Sequence, residues 1–272
     1  MQKTFELANK YIILVTPLIL YSLFSSIYLI VSANGNKLIN LIFALILFAL
    51  MTSAFIAGWF KMIKLTITEP LREDCNSLIK DFPAGVGEYF LPSLGGLSIV
   101  FLFMTILLLA SYFMGNITIG DPNVSAKALA EAFQTPESLK AFLLTLTPEQ
   151  MLKISQWNIL ILSTITLGYF SLILYFPAIF FKNKNPFIAF YISLKDLFSK
   201  QILKTAGIFL LIYIVNFIIS ILSTLAAKLA ILHFIITLVN FYFITVASIG
   251  IFYFYNKTFV ENIIGQNVDI KI

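Results

Sequence analysis

Long apolar runs separated by polar connections dominate the hydropathy pattern of the chain. A helix needs about 20 apolar residues to cross a bilayer core about 30 Å thick, so runs of that length predict transmembrane helices. Six such runs occur, and none contains an aspartate or a glutamate. We expect an all-α membrane bundle of six transmembrane helices, over residues 11–31, 38–60, 90–114, 157–181, 202–226 and 229–255.

The first run has a second interpretation. Val31-Ser32-Ala33 at its end resembles the small-residue cleavage site of a secretory signal. The apolar stretch before it is longer than the roughly 7–15 residues that such signals use. We therefore expect this stretch to remain in the protein as its first transmembrane helix.

Two connections have the pattern of amphipathic helices that lie along the membrane surface. Between the second and third runs, apolar residues recur at helical spacing from Leu71 to Phe82, and Pro83 is expected to end that helix. Between the fourth and fifth runs, Asn185 can cap a helix that begins at Pro186. The apolar stripe expected for this second helix consists of Phe187, Phe190, Tyr191, Leu194, Leu197 and Phe198.

The connection of residues 115–156 is long for a membrane protein of this size. Two Thr-Pro-Glu sequences, which begin at Thr135 and Thr147, each place a capping residue, a first-turn proline and a first-turn acid in order. Gln150 completes a capping box after the second threonine. We expect short helices here that form a small ordered cap.

Composition agrees with this assignment and adds an orientation. Charged residues make up 11% of the chain and apolar residues 60%, whereas a soluble domain carries roughly 25% charged residues. Of the 18 lysines and arginines, 13 fall on the side that holds the amino terminus, the two amphipathic segments and the tail. The positive-inside rule then predicts that both termini are cytoplasmic and that the 115–156 cap is extracytoplasmic.

Few side chains are available for catalysis or metal binding. The chain has one cysteine, Cys75, and one histidine, His233, and none of the common nucleotide-binding, metalloprotease or serine-hydrolase motifs occurs. Its lysines are scattered between apolar runs, whereas nucleic-acid binding needs them clustered on one face. We expect no enzyme activity, no cofactor, no metal site and no nucleic-acid partner.

Polar residues inside the membrane and lysines beside it are the candidate functional groups. Asn216 and Asn240 each lie 12 residues from Lys228, so antiparallel helices would place them at equal depth. They could form a structural hydrogen bond between helices, or they could bind a substrate. The lysines expected to contact lipid headgroups are Lys182, Lys184, Lys195 and Lys200, which could instead serve only as topology signals.

Two further features bear on transport. The prolines of the apolar runs, Pro17, Pro92 and Pro177, all fall toward the predicted cytoplasmic side, where they either end helices or border a cavity. Residues 77–82 also resemble residues 193–198, a weak sign of an internal repeat.

Two segments resemble known families. Residues 58–64 (GWFKMIK) and 88–91 (EYFL) are similar to polytopic bacterial and archaeal membrane families of unknown function. Residues 176–180 (FPAIF) and 184–195 (KNPFIAFYISLK) resemble a stretch of those families and of the membrane domain attached to some glycerophosphoryl diester phosphodiesterases. The likeness covers residues 50–210 and implies a prokaryotic inner-membrane bundle linked to lipid or envelope upkeep. It transfers no catalytic residue, because the phosphodiesterase active site belongs to a separate soluble domain.

Two functions follow as expectations. The first is a non-enzymatic membrane module whose partners are membrane lipids, anionic ones included, or another membrane protein. The alternative is a transporter of a small solute or lipid with a cytoplasm-facing cavity.

Overall fold

The computed structural model describes residues 2–33, 38–69, 75–132 and 134–261, and this part of the chain is helical without strands. The helices are α1 (Gln2–Lys10), α2 (Val15–Ala33), α3 (Leu38–Thr68), α4 (Asp81–Thr118), α5 (Ala126–Ala132), α6 (Pro136–Thr145), α7 (Pro148–Leu172), α8 (Tyr175–Phe181), α9 (Pro186–Leu197), α10 (Ile202–Ala226) and α11 (Ala230–Tyr255). Short 3₁₀-helical segments occupy Ile12–Leu14 and Cys75–Lys80, and a π-helical segment occupies Asn256–Glu261.

Six helical stretches of the described chain are long and apolar enough to cross a membrane. Each overlaps one of the six predicted runs, so the prediction of a six-helix integral membrane protein is confirmed. The stretches are Ile12–Ile30, Ile42–Thr68, Ser77–Thr118, Pro148–Phe181, Ile202–Ala226 and Ala230–Glu261.

The predicted end of a helix at Pro83 is wrong. Pro83 lies in the first turn of α4, where its missing N–H costs nothing because the first N–H groups of a helix have no partner within it. A short 3₁₀-helical segment, Cys75–Lys80, precedes α4. Residues 70–74 of the predicted amphipathic helix lie outside the described residues. Residues 77–82 therefore differ in structure from residues 193–198, which form the end of α9 and its cap.

The predicted fourth span is broken into α7 and α8. A continuous helix would bring the ring of Pro177 against the carbonyl of residue 173, so a proline inside an apolar run bends or ends the helix before it. α8 begins afresh at Tyr175, and Ala178 N donates to Leu174 O at 3.0 Å. By contrast, α4 continues through Pro92.

The described residues fall into two compact units, one formed before Val100 and after Phe170 and the other by Val100–Phe170. In the second unit both predicted helix starts are confirmed. Gln150 Oε1 accepts from Thr147 N at 3.0 Å, while Thr147 Oγ1 accepts from Gln150 N. At Thr135 the reciprocal partner is Ser138, whose hydroxyl accepts from Thr135 N at 3.1 Å.

The core of the first unit lies at one end of its helices. α2 and α3 run antiparallel, since Tyr28 Oη donates to Ala44 O and Trp59 Nε1 donates to Leu14 O. The largest fully buried side chains gather where α3 and α11 end and α4 begins, and they include Met62, Ile63, Tyr89, Tyr175, Phe180, Phe252 and Tyr255. We call this end of the first unit the lysine end, because it also carries Lys61, Lys64, Lys182 and Lys184.

Close packing of α3 against α4 brings the lysine end together. Gly85 of α4 is buried, and a methyl group on it would lie 2.7 Å from Lys61 Cβ and 2.9 Å from the carbonyl oxygen of Ala57. The absence of a side chain at Gly85 therefore lets the two backbones approach. This approach places Glu88, one turn further along α4, beside the end of α3.

Candidate functional site

Glu88 joins two lysines from different parts of the first unit. Its Oε2 lies 2.7 Å from Lys61 Nζ of α3, and its Oε1 lies 2.8 Å from Lys184 Nζ in the turn between α8 and α9. The Lys184 side chain is 55% exposed and that of Lys61 is 20% exposed. One carboxylate thus holds two ammonium groups, and the three charged groups together keep an excess positive charge.

Lys64 adds a third ammonium group to this cluster. Its Nζ donates to Phe180 O at 2.7 Å and to Tyr89 Oη at 3.1 Å, and no described carboxylate forms an ion pair with it. The ring of Tyr89 lies 5.0–5.6 Å from the Nζ atoms of Lys61, Lys64 and Lys184. An aromatic face stabilises nearby cations but does not neutralise them, so the cluster remains cationic.

Lys182 belongs to a separate and more enclosed ion pair. Its Nζ lies 2.8 Å from Asp196 Oδ2, and the two side chains are only 19% and 14% exposed. Tyr255 Oη donates to the same oxygen at 2.7 Å, and the rings of Tyr255 and Phe259 flank the ammonium group. This ion pair connects α8 and α9 to the end of α11. Its role is therefore structural.

The lysine end is bordered by α9, whose predicted start is confirmed. Asn185 Oδ1 accepts from Phe187 N at 3.0 Å and from Ile188 N at 3.3 Å, and Pro186 is the first helical residue. The buried residues of α9 are Ala189, Ser193 and Leu197, which recur every four residues on one face, and Leu197 is thereby separated from the exposed rings of the expected stripe.

The expected single stripe of four aromatic rings on α9 is wrong in one respect. Phe190 turns inward, where its ring meets that of Tyr175 edge to face. Phe187, Tyr191 and Phe198 are 68–72% exposed, and Lys195 and Lys200 are exposed as well. The difference arises because the buried face of α9 is set by its smallest side chains, which allow close contact with the bundle.

Asn216 and Asn240 line one polar cavity of about 290 Å³ between α10 and α11. Asn240 Oδ1 is buried and has no hydrogen-bond partner, so the two amides do not form the expected bond through that oxygen. Hydroxyl groups that were not predicted from the sequence complete the lining, although they recur at helical spacing on the same faces. These are Ser220, Ser223 and Thr224 of α10 and Thr237 of α11.

The expected cavity bordered the prolines Pro17, Pro92 and Pro177, and this cavity lies elsewhere. It extends from the two asparagines toward the turn at Lys228, away from the lysine end, and no proline lines it. His233 of α11 lies beside it, with Nδ1 3.5 Å from Ser223 Oγ. The cavity therefore offers amide, hydroxyl and imidazole groups without a carboxylate or an ammonium group among its lining residues.

Within the described residues, no group of three or more His, Cys, Asp or Glu side chains could hold a metal ion. Comparison with known proteins adds no assignment: the chain matches no protein-family model, no curated protein and no solved structure. A function for the lysine end or the polar cavity therefore has to follow from the geometry of each site.

Proposed function

We propose that this multi-pass protein is a non-enzymatic inner-membrane module that binds anionic lipid headgroups at its lysine end, with that end facing the cytoplasm. The resemblance to polytopic prokaryotic membrane families of unknown function, which implies a link to lipid or envelope upkeep, agrees with this role. The observation that carries the proposal is Lys64, a half-buried cation that donates to Phe180 O and Tyr89 Oη and forms an ion pair with no described carboxylate.

A phosphate group suits this arrangement. Lys64, Lys61 and Lys184 present three ammonium groups around Tyr89, and Glu88 neutralises one of these charges. Lysine binds phosphate as a point charge, and each lysine near an anionic membrane surface contributes about 1 kcal/mol. The excess positive charge therefore favours anionic over zwitterionic headgroups.

The exposed side of α9 supports the same proposal. Phe187, Tyr191 and Phe198 are large rings at the level of the lysine end, and an exposed aromatic row at that level is suited to the membrane interface. Lys195 and Lys200 lie on or next to this helix and are exposed, so their long side chains can reach headgroups.

The combined change Lys184→Gln, Lys195→Gln and Lys200→Gln tests lipid binding. These lysines are exposed and Lys182 is left intact, so the ion pair with Asp196 survives. We expect co-purified phosphatidylglycerol to fall by about tenfold or more relative to phosphatidylcholine, since three charges of about 1 kcal/mol each are removed. Lipids are quantified by mass spectrometry of the full-length protein.

The matched control is Lys127→Gln, Lys140→Gln and Lys228→Gln, three exposed lysines outside the lysine end. It removes the same charge and should leave the lipid ratio unchanged. Accessibility of a cysteine at Lys140 or Lys200 to an impermeant thiol reagent, in a Cys75→Ser background, reports the orientation of each variant. An unchanged lipid ratio in the lysine-end variant, or misorientation as its sole effect, contradicts the proposal.

Transport of a small uncharged solute is a second candidate, favoured by the polar cavity. Asn240 Oδ1 is a buried acceptor without a donor, and such a group in a membrane requires water or a ligand. The cavity reaches Asn216 and is large enough for several water molecules. A solute that carries hydroxyl groups suits its uncharged lining.

Glycerol flux into proteoliposomes, followed by light scattering, tests this second candidate. Asn240→Leu should abolish the protein-dependent flux, because it replaces the buried acceptor with an apolar group. Asn158→Leu changes an exposed asparagine of α7 and should leave flux unaltered. No flux above protein-free liposomes would exclude glycerol transport and leave the cavity with a structural role.

A further inference from the structure

A large apolar cavity opens between α1, α10 and α11 in the first unit. Its volume is about 480 Å³, and its walls include Phe5, Ile208, Val215, Phe243 and Ala247. α1 forms one wall because it packs along α11, where Tyr242 Oη donates to Asn9 Oδ1 and Lys3 lies over the ring of Tyr253. A short polar helix thus closes one side of an apolar space.

Apart from Thr4, which lies beside Gly250, the polar groups that line this cavity are gathered toward its end nearest the lysine end. Lys257 and Thr258 follow α11 and lie there with Tyr253, while the walls from Val246 to Phe243 are apolar. Phe243 and Lys257 are 14 residues apart, which corresponds to about 21 Å along the helix axis. The cavity is therefore long, apolar along most of its length and cationic at one end.

Lys257 is exposed, and no described carboxylate forms an ion pair with it. Lys3 is exposed nearby, since both lysines adjoin Tyr253. Among the described residues, no ion pair therefore neutralises the positive charge at this end of the cavity. This is the expected position of an anionic headgroup whose chain lies along the apolar walls.

A second apolar cavity differs in this respect. It measures about 430 Å³, is lined by residues of α2, α3 and α4 and the turn before α4, and has no charged lining residue. Ala54 of α3 is part of its wall. An apolar space alone accepts any lipid chain, whereas the cation distinguishes the cavity beside α1.

We propose that the cavity beside α1 binds one acyl chain of an anionic amphiphile, with the headgroup at Lys257. The inference rests on the proposed lipid-binding function for the class of ligand, but it uses different residues from the lysine end. The chain lies between α10 and α11 against the Phe5 wall of α1. A bound acyl chain therefore contacts the amino-terminal helix and the last two transmembrane helices together.

Native mass spectrometry of the full-length protein in a nonionic detergent tests the proposal, with lysophosphatidylglycerol and lysophosphatidylcholine of equal chain length as probes. Ala247→Trp fills the cavity and should weaken binding of both probes by about tenfold or more, because each methylene excluded from an apolar site lowers affinity severalfold. Lys257→Gln should retain chain binding but lower the preference for the anionic probe by about fivefold.

Three controls keep the outcomes separate. Ala54→Trp fills the second apolar cavity, and Val239→Trp adds the same side chain at an exposed position of α11, so both should preserve the anionic preference. The Lys184, Lys195 and Lys200 triple glutamine variant should also retain this binding, so loss of surface lipid alone leaves the cavity site standing. Val215→Trp fills the same cavity from α10 if Ala247→Trp does not fold.

The proposal is overturned if Ala247→Trp and Val215→Trp bind the probes as tightly as the wild type does. Equal loss with Ala54→Trp overturns it as well, because the effect is then not specific to this cavity. If the Lys257→Gln variant keeps the wild-type preference, the headgroup assignment fails.

Discussion

Replacing Gly85 with alanine is expected to destabilise the protein by about 2 kcal/mol, although alanine is the better helix former. A Cβ atom at this position would lie 2.9 Å from Ala57 O and 3.0 Å from Gly58 Cα, both of which belong to the backbone of α3. Backbone atoms cannot move aside as a side chain can, so α3 and α4 must separate. The separation also lengthens the Lys61–Glu88 ion pair, now 2.7 Å. Thermal unfolding in detergent measures the loss.

Gly87 provides the matched control for Gly85. It lies two residues further along α4 and is exposed, and a Cβ atom on it would meet nothing within 4 Å. Gly87→Ala should therefore stabilise the protein by about 0.5 kcal/mol through its helix propensity. If both alanine variants shift the unfolding temperature in the same direction, close approach of α3 and α4 is not what Gly85 provides.

The number and approximate positions of the membrane helices could be predicted because the bilayer imposes its own length on each helix. An apolar run without carboxylates has few alternatives to a transmembrane helix, since every backbone group in the membrane must find a hydrogen-bond partner within its helix. The residues that cap helices could also be predicted from the sequence. Thr147 bonds to Gln150, and Asn185 accepts from Phe187 N and Ile188 N, so the groups involved lie within three residues of each other.

The ends of the helices were harder to predict. Pro83 and Pro177 each lie at the third residue of a helix, α4 and α8, whereas Pro92 lies in the interior of α4. A proline fits a first turn without cost, whereas in a helix interior it removes one backbone hydrogen bond and bends or breaks the helix unless neighbouring groups compensate. Which case applies depends on where the helix begins, and tertiary packing determines that.

The candidate sites were predictable to the extent that they depend on spacing along one helix. Asn216 and Asn240 share a cavity because equal distances from one turn give equal depth in an antiparallel pair. The roles of the lysines depend on contacts between distant segments. Lys184 and Lys61 share Glu88, whereas Lys182 pairs with Asp196, and no local pattern distinguishes these partners.

Asp196 should prove more important for stability than Glu88, although each holds lysine ammonium groups. The Lys182 and Asp196 side chains are mostly enclosed, and Tyr255 adds a hydrogen bond to the same carboxylate. Removing one partner of an enclosed pair leaves an uncompensated charge with little access to water. Around Glu88, by contrast, Lys184 is 55% exposed and solvent can replace the lost partner.

Asp196→Ala is accordingly expected to lower the free energy of unfolding by about 3 kcal/mol, and Glu88→Ala by about 1 kcal/mol, with thermal unfolding in detergent as the measurement. The double change Lys182→Met with Asp196→Leu should recover most of the loss, because apolar side chains of similar size do not leave a charge unpaired. Tyr255→Phe should cost about 2 kcal/mol, a typical value for one hydrogen bond to a charged group. Equal losses for Asp196→Ala and Glu88→Ala, or no recovery in the double variant, would mean that burial of the charge is not what makes this pair important.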